Sequence, residues 1–253
     1  MDFLGFARRG IELPTSDQKD QHRFLIDTGG FIPAATVVVM RDGNAGLEVL
    51  MLQKSSKVAF GGTWVFPGGR IDEEDKVFDE KGNIDQLSTA AEAAAREAYE
   101  EASISINPTS MVWLSYWVPP SNAPKRFSTF FFATKLTNGD TKVVVDDEEI
   151  TEHQWLEPAD AIRRHDNAEI ELVVPTWMTL NQMTCWKEAD QALIALRQKA
   201  PDFYETRMCD SADGPVAMWE GDAGYQDCDP NIPGGRHRLT MSQDGYNLEL
   251  NNS

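Results

Sequence analysis

The residues most able to do chemistry are three carboxylates in one short stretch. Glu97, Glu100 and Glu101 lie in Arg96-Glu97-Ala98-Tyr99-Glu100-Glu101-Ala102-Ser103-Ile104. At about 100° per residue they share one face of a helix. Like charges this close repel, so the face is either simply solvated or a place for a cation. Hard divalent ions such as Mg²⁺ or Mn²⁺ take oxygen ligands of this kind. Metal ions of that class neutralise charge on a transferring phosphoryl group. A second stretch, Gly61-Gly62-Thr63-Trp64-Val65-Phe66-Pro67-Gly68-Gly69-Arg70, reads as a strand entering a glycine turn, with free backbone groups an ordinary acidic helix lacks.

These pieces need elements to hold them. Thr89 and Glu92 have the spacing of a capping box, so the helix is expected to start at Thr89. Ala91, Ala94, Ala95, Ala98 and Ala102 form its smooth opposite face, suited to close approach to a sheet. Ala34 to Met40 is a β-branched apolar run and reads as a buried strand. A turn at Arg41 to Gly46 leads to a second strand, Leu47 to Gln53. Lys54, Ser55, Ser56 and Lys57 follow as a loop. Met111 to Trp117 and Phe127 to Thr134 are aromatic strands, and the proline-rich loop between them could overhang the site. Asn138-Gly139-Asp140 is a further turn. His153 to Leu156 is a short strand. Pro158 opens one helix, and Pro175 opens a long amphipathic helix reaching Ala200-Pro201. Beyond Pro201, Arg236 to Met241, Asp244-Gly245 and Tyr246 to Leu250 read as a hairpin.

At Gly69 and at Arg96 to Ile104 the chain resembles the Nudix hydrolases. Their motif runs Gly, five residues, Glu, seven residues, Arg-Glu-apolar-x-Glu-Glu-x-Gly-apolar. Gly69 matches the first Gly, and Arg96, Glu97, Ala98, Glu100, Glu101 and Ile104 match the second half. Three departures stand out. Asp75 replaces the family Glu. Residues 76 to 95 number twenty where the family has seven. Ser103 replaces a Gly that suits a left-handed helix end. The extra residues, with Gly82-Asn83 among them, are expected to form a surface insertion over 76 to 87.

The resemblance implies an α/β fold, an α/β/α sandwich with a mixed sheet, here carrying a C-terminal β-hairpin extension. The resemblance places the Nudix domain over 31–200, leaving residues 1–30, of mixed composition, as an N-terminal arm and the Gly-, Asp- and Pro-rich 201–253 as the extension. It implies metal-dependent hydrolysis of a nucleoside diphosphate linked to another moiety. Mg²⁺ or Mn²⁺ would be held by Glu97, Glu100, Glu101 and the Gly69 carbonyl. Glu97 or Glu149 would serve as general base, with Glu148 in reserve. Arg96 and Asp75 are expected to support the site, Arg96 through an orienting ion pair with Glu97 or Asp75. Lys54, Arg70 and Arg126 are candidates to bind the anionic substrate.

The stretch Gly62 to Gly69 and the Ala-rich Arg-Glu-Ala-Tyr-Glu-Glu-Ala look most like the coenzyme A diphosphatases of the family, of the peroxisomal type. Coenzyme A or an acyl-coenzyme A, split to 3′,5′-ADP and phosphopantetheine, is the first substrate expected. ADP-ribose, a nucleotide sugar or a dinucleoside polyphosphate are the alternatives. A non-catalytic Nudix-fold binding protein is the alternative of another class.

Composition bounds the partners. With 41 acids against 23 bases over 253 residues, the formal net charge is −18. That disfavours duplex nucleic acid and anionic membranes. A small anionic nucleotide remains compatible, because bound metals invert the local field. No apolar run is long enough to span a membrane. Cys185, Cys209 and Cys228 show no metal spacing, and their odd count without a signal peptide suggests a reducing, cytoplasmic setting. The C-terminal extension could cap the domain or pair two copies into a homodimer.

Overall fold

The computed structural model describes residues 30–57, 59–123, 125–136, 142–242 and 245–251. Almost all of the expected N-terminal arm, the turn at 138–140 and Asp244 lie outside the described residues.

β1 (Ile32–Asp42) is the spine of the main sheet. Val37, Val38, Val39 and Met40 are fully buried. Val38 and Met40 enter one core cluster and Val37 and Val39 the other, as a period of two requires when both sheet faces are covered. β1 pairs antiparallel with β2 (Leu47–Lys54), Met40 opposite Val49, so the expected hairpin forms. On its other side β1 runs parallel to β6 (Phe127–Lys135). With β3 (Trp64–Val65), β5 (Val112–Val118) and β8 (Asp202–Glu205) the order is β3-β2-β1-β6-β5-β8. β4 (Gly68–Arg70) pairs with β1, and β7 (Ile150–Leu156) with β2. The sheet is mixed, as expected.

Helix α1 (Gln86–Ala102) covers one face. Ala90, Ala91, Ala93, Ala94, Ala98 and Ala102 are buried against the cluster containing Val37 and Val39. α2 (Pro158–Asp166), α3 (Val174–Met183) and α4 (Ala189–Gln198) supply side chains to the other cluster. There they meet a second sheet, β12-β11-β10-β9, made of β9 (Arg207–Ser211), β10 (Gly214–Met218), β11 (Arg236–Ser242) and β12 (Gly245–Asn251). The expected hairpin is thus half of a four-stranded antiparallel sheet. It docks through Trp219, which meets Trp117 of the main sheet edge-on at 5.8 Å. Asp202–Glu205 adds an edge strand to the main sheet, parallel to β5.

Four local expectations are corrected. α1 starts earlier than Thr89: Asp85 is the N-cap, its side chain accepting from the Ser88 N–H. Thr89 is instead buried, and its hydroxyl accepts from the Val77 N–H at 2.9 Å. Consequently Gln86 and Leu87 are helical and Leu87 is core, so the insertion is surface only up to Ile84. The glycine stretch is not a free turn, because Gly68–Arg70 is a strand in register with Thr36–Ala34. The long helix after Pro175 is broken between Met183 and Ala189. Thr184 turns its hydroxyl back onto the Asn181 carbonyl, and Asp42 from the end of β1 accepts from the Ala189 N–H at 2.7 Å, capping a new helix.

Cys209 and Cys228 form a disulfide between β9 and the segment before β11, while Cys185 is free and exposed. Such a bond is what an oxidising setting maintains, so a reducing compartment no longer follows from the cysteines. Among the described residues no helix is long and apolar enough to cross a membrane.

Candidate active site

The end of α1 meets β4 and the end of β2. The motif carboxylates come together there and divide between two cations. Arg96 serves one group. Its Nε and Nη2 donate to the two oxygens of Asp75 at 2.9 and 3.0 Å. Nη1 donates to Glu97 at 3.0 Å and Glu100 at 2.9 Å, and Nη2 also donates to the Arg70 carbonyl at 2.9 Å. Bidentate pairing of this kind fixes geometry as well as charge. Asp75 is itself buried, and its carboxylate closes a capping box by accepting from the Asp72 N–H. The Asp that replaces the family Glu therefore anchors Arg96.

Lys54 serves the other group. Its ammonium lies 3.1 Å from Glu101 and 3.8 Å from Glu149. Glu101 is 3% exposed, and its second oxygen accepts from the Gly68 N–H at 2.9 Å. Burial pushes the Glu101 carboxyl up to about 7, with Lys54 and the Gly68 N–H pulling the other way. Burial also raises Glu97, opposed by Arg96. Burial works against the charge on Lys54, but Glu101 and Glu149 outweigh it and hold its pKa above the ordinary lysine value. Lys54, expected among the substrate-binding residues, is thus turned inward onto carboxylates.

Gly69 stands where Glu97 closes in: a Cβ there would overlap the Glu97 carboxylate, so only glycine permits this approach. Ladder bonds from Val37 N to the Pro67 carbonyl and from Ile71 N to the Pro33 carbonyl fix the alternation. That alternation turns Gly69, opposite Ala35, toward β1 and Gly68 away from it. Gly68 is therefore the glycine whose backbone faces the carboxylates. Sequence reasoning passed over it although it adjoins Gly69 in the motif.

Glu149 lies on the loop before β7, with its side chain 59% exposed. Asp146 shapes that loop by accepting from the N–H groups of Glu148, Glu149 and Ile150. The Glu149 carbonyl accepts from the Ser55 N–H at 2.7 Å, which ties the loop to the end of β2. Glu148 is exposed in the same loop. Arg70 is exposed at the end of β4. Arg126 flanks the start of β6, its guanidinium 3.9 Å over the Phe31 ring. Two histidines make backbone contacts away from the site: His165 Nδ1 contacts Ile170 and Leu172, and His237 Nδ1 contacts the Glu220 carbonyl.

The donor set suits a hard cation, since Glu97, Glu100 and Glu101 offer only oxygens. Among the described residues no three His, Cys, Asp or Glu side chains converge on a single point. Arg96 and Lys54 occupy the carboxylates instead and supply the positive charge that their burial demands. The oxygen-only donor set fits a divalent ion.

A family model for the NUDIX domain matches residues 30–178. The chain belongs to the Nudix family. As a Nudix pyrophosphohydrolase it shares its fold with a NUDIX hydrolase from Alicyclobacillus acidocaldarius, at 21% identity and TM-score 0.55, over 69% of this chain and 100% of that one. Two further solved structures overlap more loosely. They are the NUDIX domain of Shewanella oneidensis NrtR complexed with ADP ribose (16% identity, TM-score 0.46, 67% of this chain and 96% of that one) and a C. elegans Ap4A hydrolase (23%, 0.39, 61% and 96%). No curated protein matches the chain.

Proposed function

We propose that this Nudix protein hydrolyses the diphosphate bond of a nucleotide linked to a second moiety, with coenzyme A or an acyl-coenzyme A as its substrate. The observation that supports hydrolysis is the buried Glu101, held between the Gly68 N–H and Lys54 and flanked by Glu97, Glu100 and Glu149. Nudix hydrolases use divalent cations. Glu97, Glu100 and Glu101, with the backbone carbonyl of Gly68 in place of the expected Gly69, which is turned toward β1, would hold Mg²⁺ or Mn²⁺, which neutralises charge on the diphosphate oxygens.

The protein groups then divide the work. Arg96, fixed by Asp75, keeps Glu97 and Glu100 oriented. Lys54 pairs with both Glu101 and Glu149. Glu97 is committed to Arg96, whereas Glu149 makes only the long approach to Lys54. Glu149 is therefore the carboxylate with spare capacity to take a proton from an attacking water. Arg70 and Arg126 stand on the two sides of β1 near its start, where they could attract the anionic ends of a substrate.

Coenzyme A rests on the Gly62 to Gly69 stretch and the Ala-rich motif. Its diphosphate cleavage must give 3′,5′-ADP and 4′-phosphopantetheine. Mass spectrometry of products over a panel of coenzyme A, ADP-ribose, nucleotide sugars and dinucleoside polyphosphates, with Mg²⁺ or Mn²⁺ present, tests it. Coenzyme A left whole while ADP-ribose yields AMP and ribose 5-phosphate would overturn the substrate and leave the diphosphate chemistry standing.

A further inference from the structure

The loop from Ser55 to Thr63 carries a feature the chemistry of the carboxylates does not explain. Phe60 is 50% exposed and sits at φ 60°, in the left-handed region. A bulky residue there is a backbone outlier, and such strain persists only where surrounding structure enforces it. The enforcement is visible. Thr63 donates to the Phe60 carbonyl through both its N–H, at 3.1 Å, and its hydroxyl, at 2.7 Å. The base of the loop is closed by Lys54 N to the Thr63 carbonyl at 3.0 Å and Gly62 N to the Lys54 carbonyl at 2.8 Å.

The loop is therefore anchored on the residue whose ammonium holds Glu101. Its aromatic ring is presented to solvent, with its inner side on Phe127 at 6.2 Å between ring centroids. The residue before Phe127 is Arg126, cationic and stacked on Phe31. Its buried Nε has no acceptor among the described residues. A strained, half-exposed aromatic ring, on a loop anchored at Lys54, has the chemistry to receive a flat aromatic ring.

We propose that Phe60 is the surface on which the nucleobase of the substrate stacks. The assignment rests on reading the carboxylate site as one for nucleotide diphosphates. Stacking is tolerant of base identity, because every base has a π-face, so this platform selects nucleotides as a class.

Binding can be measured without turnover, by calorimetry with AMP and with ribose 5-phosphate on the full chain. Phe60→Ala should weaken AMP about tenfold and leave ribose 5-phosphate unchanged, while Phe60→Trp should retain AMP affinity. Phe60→Gly should weaken AMP in the same way yet raise the melting temperature, because glycine is unstrained at this φ. A purely structural phenylalanine would show the reverse, a loss of stability with AMP binding intact. Wild-type protein that does not bind AMP, or Phe60→Ala and Phe60→Gly that bind it as well as wild type, overturns the proposal. Loss of AMP binding in Phe60→Ala with no hydrolysis of any diphosphate would instead keep the platform and reject the catalytic reading.

Discussion

The ammonium of Lys54, on the last residue of β2, lies 3.1 Å from the Glu101 carboxylate in the last turn of α1. Both side chains are nearly buried, 14% and 5% exposed. Removing one partner of such a pair leaves an uncompensated buried charge, at a cost of about 3 kcal/mol. Lys54→Met should therefore lower stability by about that much in urea unfolding without metal. Added Mg²⁺ should restore part of the loss, because a bound cation can replace the missing charge. An unchanged unfolding midpoint would show that Glu101 does not depend on Lys54.

Ser103 lies at the same end of that helix. It closes α1 at φ 55° and ψ 31°, the left-handed conformation that the family motif reserves for Gly. Serine in that conformation costs about 1 kcal/mol. Ser103→Gly should raise stability by about 1 kcal/mol, read as a higher melting temperature. A lower melting temperature would mean the serine makes a compensating contact.

Stability in the second sheet should depend on acid through Asp222. Its carboxylate is fully buried against Arg238, with contacts of 2.6 and 2.7 Å, and accepts from the N–H groups of Gly224 and His237. Burial opposes the charge, but Arg238 and the two N–H groups outweigh it and depress the pKa to about 2 from 3.8. Because the folded pKa lies below the unfolded one, the unfolded chain binds the proton first as pH falls. The stabilisation is fully present above about pH 4 and is lost as pH drops toward 2. At pH 7, Asp222→Asn should cost a few kcal/mol, about 2 from linkage alone. Near pH 2 the variant and wild type should converge, and a pH-independent gap would remove the ion pair from the account.

The insertion divides into a dispensable part and a structural end. Phe78 and Ile84 form an isolated bridge and are 60% and 38% exposed. Replacing residues 79–83 by a tight turn should barely move stability, because loop closure entropy changes slowly with length. Asp85→Ala should cost about 1 kcal/mol, since Asp85 caps α1. A cooperative loss of fold on shortening the loop would show that it packs.

The parts of this molecule legible in the sequence are those with a strong local signal. The all-apolar run of β1 and the alanine face of α1 each bury as their patterns require. Arg96 and Asp75 find one another at the two motif positions that the sequence singles out. The misplaced helix start shows the limit of local reading: Thr89 has the right residue type and spacing for a cap, but Val77 claims its hydroxyl. The break before Ala189 depends on Asp42, nearly 150 residues earlier, which no local pattern reveals. The same holds for Lys54, which reads as a surface lysine until Glu101 is folded against it. Phe60 carries no sequence signal at all, since its interest lies in a backbone angle.

The central claim is that the carboxylate face of α1 drives cleavage of a diphosphate. The direct measurement is the rate of product formation from the best substrate of the panel, by mass spectrometry, with Mg²⁺ or Mn²⁺ present, for wild type and for Glu100→Gln and Glu101→Gln. Each substitution keeps the shape and removes a charge. The account predicts folded variants whose turnover falls by about a hundredfold or more, as loss of several kcal/mol of charge stabilisation requires. Turnover within about twofold of wild type in both folded variants would contradict it.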